Sequence, residues 1–140
     1  MDHVGIVVDD LKAATEFFVE LGLEVQGEAS VEGGSVDRII GLNGVRSDVV
    51  GLQTPDGNTW LELSKFYSPA SRSDNLRAPA NTRGLRHLAF VVEDIDALVA
   101  GLRSRGTEFV GELERYESSY RLCYVRGPEG IIVELAEKIG

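Results

Sequence analysis

Two histidines and two glutamates are the residues of this chain whose type and placement suggest chemistry. His3 and His87 are its only histidines, and each opens a run that reads as a β-strand, in HVGIVV and HLAFVV. Glu62 and Glu134 each stand between apolar residues, in Leu61-Glu62-Leu63 and Val133-Glu134-Leu135. Side chains alternate across a strand, so each carboxylate points away from the face that its neighbours bury. Taken alone, a strand-opening His is an ordinary surface or core residue, and a Glu in an alternating strand belongs to the solvated face. The coincidence of two of each at matching places asks for more. Two neutral imidazoles with two carboxylates suit a divalent cation such as Ni²⁺, Zn²⁺, Co²⁺, Mn²⁺ or Fe²⁺, and not Cu(I). The two anionic ligands offset the charge of the dication, and an octahedral ion would keep two positions open for water or substrate.

The matching places come from an internal repeat. Residues 3–24 align without a gap on residues 87–108, with His3 on His87, Val7-Val8 on Val91-Val92, Asp10 on Asp94, Gly22 on Gly106 and Glu24 on Glu108, all at an offset of 84. TPDGNTWLELSKF at 54–66 resembles GPEGIIVELAEKI at 127–139, with Pro55 on Pro128 and Gly57 on Gly130 at an offset of 73, and Glu62 on Glu134 at 72. The first half therefore holds about a dozen extra residues, placed at 33–44, GGSVDRIIGLNG.

The elements that must position the four residues follow from periodicity. Val4, Ile6 and Val8 share one side of a first strand. Asp9 or Asp10 caps a helix whose stripe is Leu11, Ala14, Phe17, Phe18 and Leu21, ended by Gly22. In the second half Asp94 caps, Ile95, Leu98, Val99 and Leu102 form the stripe, and Gly106 ends it. Further strands are expected at 23–29, 48–53 and 59–66, and at 107–112, 120–125 and 131–136, with Pro-Asp-Gly and Pro-Glu-Gly as hairpin turns. Each half thus reads as βαβββ. The fold class is α+β: a first module at 1–66 carrying the 33–44 insertion, a linker at 67–83 rich in Ser, Ala, Pro, Asn and Arg, and a second module at 84–140. A four-stranded sheet with one helix leaves its other face bare, so two modules are expected to cover each other or a second copy. Pseudo-twofold symmetry would then gather both His and both Glu into one group.

Composition narrows the class. At 140 residues, 43% hydrophobic and 26% charged, the chain can build a core and is not disordered. Its net charge of −9, with basic residues scattered, disfavours nucleic acid and anionic membranes as partners. No apolar run reaches the roughly 18 residues of a membrane span, and no basic-then-apolar leader opens the sequence, so a cytoplasmic location is expected. The single Cys123 rules out an internal disulfide and reads as a small buried hydrophobe on a strand.

The ordered set HVGIVVDD, HLAFVVEDID, PDGNTWLEL and PEGIIVELAEK resembles the vicinal oxygen chelate superfamily, which includes glyoxalase I, methylmalonyl-CoA epimerase, extradiol dioxygenases and the fosfomycin and bleomycin resistance proteins. The resemblance spans the chain apart from the insertion and the linker. It implies paired βαβββ modules forming a curved, partly open barrel around a divalent metal, with His3, Glu62, His87 and Glu134 as ligands. The His-Glu-His-Glu order resembles glyoxalase I and implies lyase or isomerase chemistry. In that chemistry a substrate with vicinal oxygens chelates the metal and a proton shifts through an enediolate, with Glu134 as acid and base and Glu62 as its symmetry mate. The superfamily also includes alternatives that remain open behind this reading: an extradiol-type dioxygenase, an antibiotic-modifying transferase, or a non-catalytic ligand-binding protein of the bleomycin-resistance kind.

Beyond the four ligands, the insertion is expected to form a short helix or lid, with Arg38 either solvated or meeting an anionic substrate. Trp60, Phe66, Tyr67, Tyr120 and Tyr124 are candidate pocket walls, although most strand aromatics pack a core. The expected partners are a small-molecule substrate and a second copy in a homodimer, since open sheet edges ask for cover.

Overall fold

The computed structural model describes residues 1–72 and 76–140. The chain divides into two compact units, Met1–Asp74 and Asn75–Gly140. Each is a βαβββ module, and the class is α+β. The first runs β1 (His3–Val7), α1 (Leu11–Glu20), β2 (Glu24–Glu32), α2 (Gly34–Ile40), β3 (Arg46–Gln53) and β4 (Trp60–Ser68). The second runs β5 (His87–Val91), α3 (Ile95–Ser104), β6 (Glu114–Tyr116), β7 (Tyr120–Arg126) and β8 (Ile132–Lys138). The sheets have matching orders, β1-β4-β3-β2 and β5-β8-β7-β6, and neither closes on itself. Among the described residues no helix is long and apolar enough to cross a membrane.

The two long helices are built by the same local chemistry. Asp10 accepts the Ala13 amide at 3.0 Å, and Asp94 accepts the Ala97 amide at 3.0 Å, so each carboxylate satisfies a first-turn N–H that has no partner within the helix. At the other end Gly22 (φ +103°) and Gly106 (φ +81°) take the left-handed conformation. The following residues, Leu23 and Thr107, return their amides to Phe18 and Leu102, which satisfies carbonyls the helix would leave open. Leu11 to Leu21 then present Ala14 and Phe18 inward, and Ile95 to Leu102 present Ile95, Val99 and Leu102.

Each helix covers one face of its own sheet. In the first unit the ladder pairs Leu52 with Leu61 and Val50 with Leu63, all four buried, and places Val4 and Ile6 of β1 beside Leu61 and Leu63. In the second unit Cys123, Val125, Val133 and Leu135 are the buried set, which confirms the thiol as a core residue. Burying a Leu, Val or Phe side chain is worth about 1.5–3 kcal/mol, so these stripes drive each helix onto its sheet. The opposite face is left for the residues that alternate with them.

Three features differ from the sequence expectation. The strand expected at 107–112 does not form. That stretch touches β7 through a single bridge, Phe109 to Val125, and pairing resumes only at Glu114 opposite Leu122. Five residues on one side span three on the other, so two extra residues bulge out and break the ladder at Gly111 to Leu113. β4 runs on to Ser68, past the expected module end at 66. Finally, the end of the expected linker 67–83 packs on the second unit: Ala78 is buried, its carbonyl accepts from Arg126 Nη1 at 3.0 Å, and Arg77 pairs with Glu108. Residues 73–75 of that linker lie outside the described residues.

The insertion forms a helix, α2, as expected, with Arg38, Ile39 and Ile40 exposed. Its anchor escaped the sequence reading. Asp37 accepts the amides of Gly44 at 2.9 Å and Val45 at 2.8 Å, tying the helix to the start of β3. Asp followed at a distance by Gly and Val carries no local signature, because the bond closes over seven and eight residues.

Candidate functional site

The parallel pairing of first and last strand positions the chemistry in both units. β1 runs beside β4 with His3 opposite Trp60 and Gly5 opposite Glu62. β5 runs beside β8 with His87 opposite Ile132 and Ala89 opposite Glu134. In each unit the glutamate therefore stands diagonally from the histidine, two residues further along the partner strand. Both side chains leave the face that the helix covers, because Glu62 lies between buried Leu61 and Leu63, and Glu134 between buried Val133 and Leu135.

The side chains meet within each unit. His3 Nε2 lies 3.6 Å from Glu62 Oε2, and His87 Nε2 lies 3.2 Å from Glu134 Oε2. Two ligand atoms about 2.1 Å from a common cation at adjacent coordination positions stand about 3 Å apart, so both separations suit a shared ion. The donor set, imidazole nitrogen with carboxylate oxygen, suits the borderline divalent metals. Among the described residues, no three or more His, Cys, Asp or Glu side chains gather into a metal-holding group, and what each unit brings together is one imidazole and one carboxylate.

The ring orientation of His3 is set from behind. Its Nδ1 donates to Asp2 Oδ2 at 2.8 Å, because an ionised carboxylate only accepts. Trp60 Nε1 donates to the same oxygen at 3.2 Å, and the indole stacks on the imidazole with ring centres 4.3 Å apart. With Nδ1 donating to Asp2, the ring turns Nε2 toward Glu62, and a ring without a second proton would present a lone pair there. Two acceptors facing each other need an electrophile between them, a proton or a metal ion. Asp2 is a residue the sequence reading missed. A carboxylate next to a histidine has no pattern that separates it from any acidic neighbour. The two bonds to Asp2 hold its carboxyl below the usual range, with the bond from His3 the largest cause.

The second unit is built differently around the same pair. The matching neighbour of His87 is Arg86, not an acid. Tyr124 lies opposite Glu134 in the β7–β8 ladder, with its ring centre 5.0 Å from that of His87. Burial, and then the Glu134 carboxylate, push the Tyr124 hydroxyl above its ordinary pKa, so it stays protonated near neutral pH. The Glu134 side chain is 19% exposed against 34% for Glu62, which makes Glu134 the more secluded acid.

Of the five aromatic candidates, Trp60 and Tyr124 flank the histidines. Tyr67 instead donates its hydroxyl to Asp48 at 3.0 Å near the end of β4. Phe66 sits beside it on that strand, and Tyr120 opens β7. Beside Glu62 the first unit leaves space. Gly51 is opposite Glu62, and Gly27 is opposite Gly51, so the row across the sheet reads Gly5, Glu62, Gly51, Gly27. A recess of about 450 Å³ lies over that end of the sheet, lined by residues of β2 and β3 and by Trp60.

The model of the Glyoxalase/Bleomycin resistance protein/Dioxygenase superfamily matches residues 1–135. The chain resembles a glyoxalase family protein from Bacillus cereus at 46% identity and a TM-score of 0.96, covering 100% of this chain and 94% of that one. It shares its fold with the glyoxalase I of Leishmania major, at 24% identity and a TM-score of 0.65 over 98% of this chain and 85% of that one. Among curated proteins it is 29% identical to the uncharacterized protein YwbC of Bacillus subtilis (strain 168), over 99% of this chain and 97% of YwbC. The repeated βαβββ frame, the paired imidazole and carboxylate of each unit and the match over nearly the whole length agree: the chain belongs to the Glyoxalase/Bleomycin resistance protein/Dioxygenase superfamily.

Proposed function

We propose that the chain is a metal-dependent enzyme of the glyoxalase or epimerase type, in which His3, Glu62, His87 and Glu134 hold one divalent cation, Ni²⁺, Zn²⁺, Co²⁺, Mn²⁺ or Fe²⁺. The observation that carries this reading is the matched pair: in each unit one histidine Nε2 faces one glutamate Oε2, at 3.6 Å and at 3.2 Å. A bound cation would supply Lewis acidity toward two neighbouring oxygens of a small-molecule substrate. The chain's own residues do the rest. Asp2 and Trp60 hold His3 in the tautomer that can ligate. Glu134, the more secluded carboxylate, takes a proton from the carbon beside the chelating oxygens and returns it to the neighbouring carbon or the opposite face. Tyr124, opposite that acid in the ladder and kept protonated, lines the same face of the sheet beside His87.

The test is elemental analysis of purified protein together with deuterium exchange into a 2-oxo or thioester substrate. One Ni, Zn or Co per four-ligand set, with metal-dependent exchange, is the expected result. Stoichiometric Fe with oxygen consumption would turn the reading to ring-cleaving chemistry. Failure to take up any of these metals after supplementation would overturn it and favour ligand sequestration. Sedimentation of the same sample tests the homodimer that forms part of this proposal.

A further inference from the structure

The two units treat the space beside their glutamates differently. In the second unit Tyr124 fills the position opposite Glu134, and its ring reaches His87. In the first unit the corresponding position opposite Glu62 is Gly51, backed by Gly27. A side chain built on Gly27 would meet nothing within 4 Å, and neither glycine has a positive φ, so neither is needed for backbone conformation. Gly27 leaves open room, whereas Gly51 lets the Trp60 ring lie close over the strand. A side chain built on Gly51 would come within 3.4 Å of the Trp60 ring.

The walls of that recess have a definite chemistry. Gly27, Ala29, Val49, Gly51 and the Trp60 indole are apolar, Gln26 and Gln53 are neutral, and Glu28 is the sole charged residue. Nothing there is cationic, so an anionic group would meet a carboxylate and no counter-charge, on a chain that already carries −9. The indole is held in place by its bond to Asp2 and its stack on His3. A fixed aromatic face above glycine backbone favours a flat ring lying against it.

We infer that the Gly27–Gly51–Trp60 recess seats an uncharged, flat part of the substrate, an aromatic or conjugated ring, and so selects neutral substrates over those carried on an anionic handle. This rests on the proposed site beside it, since the ring must lie next to the oxygens that the cation would hold.

Trp60 is the only tryptophan, so its emission reports on the recess directly. Metal-free protein is titrated with 2-naphthol and with 2-naphthyl phosphate, following Trp60 emission and equilibrium dialysis. Saturable binding of 2-naphthol is expected, with the phosphate weaker by about tenfold or more. Gly27→Leu fills the recess and should weaken 2-naphthol by a similar factor while leaving metal uptake unchanged. Ala29→Phe, at an exposed position of the same wall, is the second filling variant should the first fold poorly. Equal binding of the two probes, or undiminished binding in both filled variants, overturns the inference. Glu62→Gln separates it from the metal site: loss of metal with 2-naphthol binding retained supports both readings. Metal uptake unchanged by Glu62→Gln would overturn the ligand assignment alone.

Discussion

Asp2 and Trp60 are joined through one oxygen: the carboxylate that accepts from His3 Nδ1 at 2.8 Å also accepts from Trp60 Nε1 at 3.2 Å. The indole so held stacks on the same imidazole, so bond and stack fix the ring in plane and in tautomer. Asp2→Ala removes the acceptor while leaving the ligand. Metal affinity should fall by roughly 10–100-fold, the usual cost of losing a partner behind a ligating histidine. Competition against a chromogenic chelator measures this, and an unchanged affinity would remove Asp2 from its positioning role.

The two carboxylates are predicted to be unequal in catalysis. Glu134 is the more enclosed and has Tyr124 opposite it in the ladder, whereas Glu62 is the more exposed and has Gly51 opposite it. In metal-reconstituted protein, Glu134→Gln should lower proton exchange by about 10²–10⁴-fold, the span typical of general acid–base groups. Circular dichroism of that variant should match the parent, because the side chain is only partly buried and lies outside the helix-covered core. Full exchange in Glu134→Gln would mean that Glu62 or another group carries the proton.

How far these roles could be read from the sequence depends on what each one rests on. The helices and their caps were legible because Asp10, Gly22, Asp94 and Gly106 act over three or four residues, within reach of a local pattern. The two His–Glu pairs were legible because a repeat and a period-2 alternation place them together without knowledge of register. The recess was not, because glycine reads as a turn or a weak spot, and only the β2–β3–β4 register aligns Gly27, Gly51 and Glu62 in one row. The strand expected at 107–112 failed for a related reason. Its residues have strand character, but two extra residues bulge before Glu114, and the insertion of residues into a ladder leaves no mark on side-chain alternation read from one strand alone. Asp37 was hidden because its partners are the backbone amides of a distant loop.

The two turn glycines, equivalent in the repeat, should respond differently to alanine. Gly57 (φ +74°) has open surroundings, the nearest atom to a built Cβ being Gln53 Nε2 at 3.7 Å. Gly57→Ala should cost about 1 kcal/mol, the strain of a left-handed conformation. Gly130 (φ +94°) carries the same strain, and its Cβ would also fall on the Leu76 carbonyl oxygen. Backbone cannot rotate aside, so Gly130→Ala should cost about 3 kcal/mol or more. Denaturant unfolding of the two variants compares them directly, and equal losses would show that 76–78 does not pack on the turn in solution.

Acid should loosen the start of α3 in part through Asp96. Asp96, in the first turn of that helix, receives both Arg121 guanidinium nitrogens, at 2.7 and 2.9 Å, and this pair holds its carboxyl below the ordinary range. A depressed folded pKa means that the stabilisation is fully present above the unfolded value near 3.8 and is lost as the pH falls through the folded value. The effect is small in size because the pair is exposed to solvent and salt. In Asp96→Asn the carboxylate is gone at every pH, so the part of the acid-induced loss below about pH 4 that belongs to this pair should disappear from the thermal unfolding profile. Raising the salt concentration should shrink the parent's pH dependence toward that of the variant. Parent and variant profiles that stay parallel through this range, at low and high salt alike, would show that the Arg121 contact contributes nothing to holding α3 on β7.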